Sequence, residues 1–245
     1  MDIASPVKSA FLKARWKNLV FANYIIDPAV LEAYRPAGTE FDLYEGKCFA
    51  SLVGFMFMDT AIRGIKVPLH TNFEEFNLRF YVRFKQGSEW KRGVVFVREI
   101  VPRIMITQVA RILYGEKYYY HRMRNSLSQT ENKIRVRYEF LFRNNWNHLQ
   151  VDVKKQGEPL QPLTETAFIT EHYWGYTRLK PTVTSEYQVS HPSWDIHEVI
   201  SHDINIDTAG LYGPGIHEFL STKPSSVFMA AGSPVTVFNR TLHSF

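Results

Sequence analysis

The sequence predicts a mainly β protein with a few packed α-helices, its strands closing as an antiparallel barrel or sandwich. Three observations predict this. Segments that alternate apolar and polar residues recur along the chain and are rich in Val, Ile, Tyr and Phe. Turn-forming stretches separate them, among them Gln86-Gly87-Ser88, Asn144-Asn145, Gln156-Gly157-Glu158-Pro159 and Gly232-Ser233-Pro234. Helical periodicity is confined to a few places, and strands in series with short turns pack as closed or doubled sheets.

In chain order, Asp27 is placed to cap a helix from Pro28 to about Tyr34, with proline at the first helical position. Strands follow over Phe49–Met58, Asn77–Phe84 and Val94–Ile100. The clearest helix is Arg103–Tyr114. Met105, Ile106, Val109, Ile112 and Leu113 share one face, and Gly115 is placed to stop it. Further strands are Lys133–Phe142, His148–Lys154, Thr166–Tyr173, Ser185–Ser190 and Val227–Phe238. Between the last two, Asp207–Leu220 reads as helix, but Gly213-Pro214-Gly215 would split it into two short pieces. No linker, charge block or repeat divides the chain, so residues 1–245 read as a single domain.

Composition excludes several classes. With 5 Trp, 13 Tyr and 18 Phe, the chain has ample apolar surface to offset chain entropy, which rules out a disordered tail. One cysteine, Cys48, forms no internal disulfide, which excludes a secreted disulfide scaffold. The longest apolar run, Cys48–Met58, falls well short of the roughly 18–20 residues a membrane span needs. The N-terminus has no apolar h-region, so the expectation is a cytoplasmic protein without a signal peptide or membrane partner. The net charge of +5 raises a nucleic-acid reading. Basic residues cluster at Lys8, Lys13, Arg15 and Lys17, and again at Lys133, Arg135 and Arg137. The second group alternates with Ile134, Val136 and Tyr138, as the solvated face of a half-buried strand does, and no nucleic-acid motif accompanies it.

Candidate chemistry lies in three segments. In Asn77–Phe84, Leu78, Phe80, Val82 and Phe84 form one face, and Asn77, Arg79, Tyr81 and Arg83 the other. Either the polar face meets water, or it lines a closed barrel; in the second case Arg79 is a planar, bidentate fork for a carboxylate. In Lys117–Arg122, Lys117, Tyr119 and His121 share one strand face, and Tyr118, Tyr120 and Arg122 the other. Buried tyrosine hydroxyls need partners, so one of these faces is expected to line a polar cavity; the alternative is an amphipathic strand half-buried against a neighbour. Glu171-His172-Tyr173 ends another strand. Its Glu or His in a pocket could act as general acid or base, because a histidine titrates near neutrality and a desolvated glutamate is raised toward it; the plainer reading makes Glu171 and His172 surface residues at a strand end, and Glu171 and His121 are the residues selected as catalytic candidates. His191, Asp195, His197, His202 and His217 lack metal-ligand spacing, and neither a nucleophile elbow nor a glycine-rich phosphate loop occurs, so no metal and no cofactor is expected.

From Phe73 to Val82 the sequence resembles the bacterial YqjF-like proteins, with Val67-Pro68-Leu69-His70 preceding at matching spacing. The likeness continues in order through Gly93-Val94-Val95-Phe96, Tyr118–Met123, Phe168–Tyr173, His191-Pro192-Ser193-Trp194 and Ser226–Gly232. That family is in turn similar to acetoacetate decarboxylase, which implies a cone-like antiparallel β-barrel around an internal polar pocket. The decarboxylase's adjacent lysine pair would fall on Tyr118 and Tyr119, so the imine-forming amine is missing from its expected place. Lys117 is one position off, and a one-residue slip on a strand turns a side chain to the opposite face. The pocket glutamate implied by the resemblance falls on Glu75 or near Arg79. The resulting expectation is a pocket binding a small organic acid or carbonyl compound. Arg79 holds the acid group, Tyr81, Tyr119 and His121 line the pocket, and acid–base chemistry is left open. The alternative is a non-catalytic protein holding an apolar ligand or a partner. Oligomeric state is not legible in the sequence.

Overall fold

A computed structural model describes residues 9–66, 71–103, 115 and 117–245. Fifteen strands form one sheet system. They are β1 (Ala10–Ile25), β2 (Thr39–Phe41), β3 (Phe49–Ile62), β4 (Phe73–Gln86), β5 (Glu89–Val101), β6 (Tyr118–Tyr120), β7 (Met123–Gln129) and β8 (Lys133–Phe142). The rest are β9 (Asn145–Lys154), β10 (Trp174–Lys180), β11 (Val183–Ser190), β12 (Ile196–Asn205), β13 (Ser226–Ala230), β14 (Pro234–Phe238) and β15 (Thr241–Ser244). The mainly β expectation holds.

Seven strands hydrogen-bond in the order β1-β3-β4-β5-β10-β11-β14, and β14 pairs back onto β1, so the ladder closes as a ring. All of these pairings are antiparallel except the short parallel contact of β10 with β5. A branch leaves the ring at β1 and runs β13-β12-β9-β8-β7. The branching is made by β1 itself. Its first part pairs with β14 and its second part with β13, and Asn18 between them has φ 51° where the register shifts.

The two faces of the ring are packed differently. Outward-facing Leu52, Phe76, Leu78, Phe80 and Val82 meet Val136, Phe140, Leu149 and Val151 of the branch in the larger apolar core. Leu211, Ile216 and Leu220 of the helices Thr208–Tyr212 and Pro214–Leu220 pack onto the same core. Inward-facing Phe21, Phe55, Phe57, Phe73 and Tyr81 form a second cluster inside the ring. Gly54 permits the close approach of the layers: a Cβ there would lie 2.7 Å from the Tyr138 ring.

Local signals account for the helices. Asp27 caps a single 3-10 turn, Pro28–Leu31, through a 2.8 Å bond from the Ala29 amide, so the element is shorter than its sequence pattern. The Gly213 break does split residues 208–220 into two helices. Thr166–Tyr173 is corrected: it is no strand, because Thr164 caps a helix over Glu165–Thr170 by accepting from the Ala167 amide. Val227–Phe238 is two strands separated at Gly232, whose φ is 84°. The clearest helix of the sequence reading, Arg103–Tyr114, lies outside the described residues but for Arg103. Lys133 and Arg135 on β8 pair with Asp152, and Arg137 with Glu139 and Asp203. No described helix is long and apolar enough to cross a membrane.

Candidate functional site

Inside the ring lies a cavity of about 130 Å³. Its walls are largely aromatic, with Trp16, Phe55, Phe57, Phe73, Phe96 and Trp194 prominent. Three of its polar groups come from the inward side of β4. Strand alternation puts Glu75, Asn77 and Arg79 on one face, and that face points into the ring rather than to water. The apolar alternate residues carry the outer core, which inverts the usual arrangement of core inside and polar outside.

Neighbouring strands complete the wall. On β5 the partners of Leu78 and Arg79 are Arg98 and Phe96, so Val97 is an extra residue in the ladder. This bulge switches the alternation. Val94 and Phe96 face the cavity before it, and Glu99 faces the cavity after it. Without the bulge Arg98 would point inward; instead its guanidinium lies 4.0 Å over the Tyr119 ring. Parallel pairing sets Tyr118 beside Glu99, and Tyr118 lines the cavity. The Tyr118 hydroxyl donates to Glu75 Oε2 at 3.0 Å, and Asn77 Nδ2 donates to Glu75 Oε1 at 2.9 Å.

Arg79 is 8% exposed. Its guanidinium makes no hydrogen bond or ion pair with any described residue, and its Nε is buried without a partner. It rests on aromatic faces, with Cζ 4.9 Å from the Phe21 ring and 5.8 Å from the Tyr81 ring. Tyr81 continues the same strand face below the cavity. Its hydroxyl is bonded to Ser51 Oγ at 2.7 Å, and Ser51 in turn donates to Asn23 Oδ1 at 2.6 Å.

His172 was weighed beside Glu171 as an acid–base group in the sequence but was not among the residues selected for the site. It follows the helix Glu165–Thr170, lines the cavity and packs its ring 4.7 Å from that of Tyr81. Its Nε2 lies 3.1 Å from Asp42 Oδ2, and Arg92 Nε donates to the same oxygen at 2.6 Å. Burial opposes the charge on Asp42, but the bonds from His172 and Arg92 outweigh it and hold the carboxyl below its ordinary range. Burial pushes His172 down to about 4, only partly offset by Asp42, so the ring is neutral at pH 7. With Asp42 ionised, the single ring proton belongs on Nε2. Nδ1 is then an acceptor, buried and without a partner among the described residues. His191, at the cavity wall, stacks on Trp194 with centroids 4.1 Å apart.

The remaining sequence-selected residues stand elsewhere. Tyr119 is on the outward side of β6, under Arg98. His121 Nδ1 donates to the Leu141 carbonyl at 3.0 Å, and the ring packs against Phe140 and Phe142, away from the cavity. Glu171 borders an outer groove with Arg92 and Phe168 and bonds to Tyr173 and Ser193. Lys117 places Nζ 4.2 Å from the Tyr34 ring centre, and no described residue lining the cavity is a lysine. The sequence reading weighed His172 together with its neighbour Glu171. A strand reading assigns alternate faces to such a pair, and that rule lapses where the backbone is a helix end. No group of described residues is arranged to hold a metal ion.

The chain matches, over residues 13–234, the family DUF2071, described as an uncharacterized conserved protein, and it belongs to that family. It is 28% identical over 125 residues to the uncharacterized protein YqjF of Bacillus subtilis (strain 168). The matched part is 51% of this chain and 50% of YqjF, so the chain spans about half the length of the curated relative it matches. Acetoacetate decarboxylase from Legionella pneumophila is similar in structure, with TM-score 0.67, 11% identity, and coverage of 99% of this chain and 94% of that one. An acetoacetate decarboxylase-like enzyme from Sphingomonas wittichii RW1 gives TM-score 0.65 and 12% identity over 100% and 99% of the chains. The enduracididine biosynthesis enzyme MppR, solved with pyruvate, gives 0.64 and 12% over 98% and 93%. At these identities the likeness is one of fold, and the fold is the decarboxylase-like one.

Proposed function

We propose that this DUF2071 family member binds a small organic acid or carbonyl compound inside the strand ring, with Arg79 holding the acid group. One observation carries the reading: a buried guanidinium with no carboxylate partner among the described residues lines an aromatic cavity. A buried charge is costly unless it is paired, so such a site favours an anion that brings the missing partner. The planar fork suits a carboxylate, and the surrounding rings exclude water and strengthen the pairing. MppR, a fold neighbour, was solved with pyruvate, which accords with a small acid in such a ring.

The chemistry of the wall narrows what the site would do. No described lining residue is a lysine, so imine formation has no amine there, and Lys117 stands on the other side of the strand. Proton transfer has candidates in the Tyr118–Glu75 pair, which meets the cavity 3.0 Å apart. The aromatic walls favour a second reading, a holder of neutral apolar ligands.

A thermal-shift series separates the two. Short carboxylates are compared with their amides on wild type and Arg79→Met. The acid reading expects stabilisation by carboxylates alone, lost in the variant. Equal shifts from acids and amides, unchanged in Arg79→Met, would overturn it in favour of the apolar holder.

A further inference from the structure

The unpartnered atoms around the cavity are of both kinds. Arg79 supplies donors. His172 Nδ1 and Asn77 Oδ1 are acceptors, both buried and both without a partner among the described residues. Each is fixed in that role by what its other end does. Asn77 spends its amide nitrogen on Glu75, and His172 spends its proton on Asp42. Arg79 and His172 both contact the Tyr81 ring, from which Cζ of Arg79 is 5.8 Å and the imidazole centre 4.7 Å. A ligand that met Arg79 alone would leave buried acceptors beside it unsatisfied, and an unmade bond of that kind costs more than a made one gains.

We propose that the ligand carries a hydroxyl next to its carboxylate, a 2-hydroxy acid with an apolar body, and that His172 Nδ1 accepts a hydrogen bond from that hydroxyl while Arg79 takes the carboxylate. This rests on the acid-binding reading above and deepens it. Asp42 is the positioning residue, since its carboxylate holds the proton on Nε2 and leaves Nδ1 as the acceptor. Arg92 holds Asp42 in turn. The aromatic walls at Trp16, Phe57, Phe73 and Trp194 suit a ring-sized body. A 2-oxo acid presents a carbonyl oxygen where the hydroxyl would be, so its lone pair faces that of Nδ1. A chiral hydroxyl aimed at one fixed acceptor also makes the two enantiomers unequal.

Three probes of one shape test this by calorimetry at pH 7.5: mandelate as separate enantiomers, benzoylformate and phenylacetate. The expected order is one mandelate enantiomer tightest, by about tenfold over phenylacetate, which is the worth of one good hydrogen bond, with benzoylformate weakest. His172→Phe keeps a ring against Tyr81 and removes the acceptor, and it should level the three probes while leaving carboxylate binding in place. The wild-type order stands as a test even where that variant fails to fold. Equal affinities for all three in wild type, with binding still abolished by Arg79→Met, would overturn the hydroxyl assignment and leave the acid reading intact. No binding of any of the three would sink both.

Discussion

Arg79 carries a positive charge into a wall of rings and meets no described carboxylate there. Such a residue destabilises the fold that contains it, because desolvation is not repaid. Arg79→Met, similar in volume and apolar, should therefore raise stability by about 1–2 kcal/mol in a urea melt while abolishing stabilisation by carboxylates. A drop in stability would mean that the guanidinium is paired in solution. His172 gives a second prediction at this scale. Its folded pKa of about 4 lies below its ordinary value of 6.5, so the unfolded chain takes up the proton first as pH falls. Stability should decline from about pH 6.5 down to about 4, and His172→Gln should flatten that limb whatever its cost at pH 8. An unaltered limb in chemical melts from pH 7.5 to 4.5 would show that His172 is not buried neutral.

At the scale of elements, the helix Glu165–Thr170 sets the position of His172 and is held at its start by one hydroxyl. Thr164→Ala should cost about 1 kcal/mol and weaken ligand binding without touching a cavity residue, as melts and titrations on the same variant would show. This helix also shows where the sequence was opaque. Ala167 to Thr170 are all buried, so no period distinguishes helix from strand, and the β-branched residues there favoured the strand reading. The opposite case is β4, whose alternation was legible residue by residue. What it could not say was which face is inside, since that depends on closure between β14 and β1, far apart in sequence. The bulge at Val97 was equally illegible, because an extra residue in a ladder appears only against its partner strand. β1 went unread for a related reason: its alternation gives way at Asn18 to a continuous buried run.

For the whole molecule, closure rests on β14, which pairs with β1 on one side and β11 on the other. A chain ending at Gly232 lacks β14 and β15 and leaves long apolar strands with open edges. It should lose cooperative unfolding and bind a hydrophobic dye, as calorimetry and dye fluorescence would report; a single sharp transition would show that the ring is not the folding unit. Gly54 ties the ring to the outer layer. Gly54→Val, pressed on Tyr138, should cost about 1–3 kcal/mol with no effect specific to ligand.

The outward facing of the main apolar core has a consequence for how such a protein changes over time. Most of its cohesion lies between the ring and the branch, in residues such as Leu78, Phe80, Val136 and Leu149 that never meet the cavity. The alternate residues of the same strands carry a smaller share of that cohesion, in the inner cluster. An exchange of a lining side chain then leaves untouched the contacts made one residue away, on the outer face. Structural neighbours at 11% and 12% identity share the fold. An inner surface that drifts independently of the outer one would let a single scaffold accept new guests while its outline stays constant.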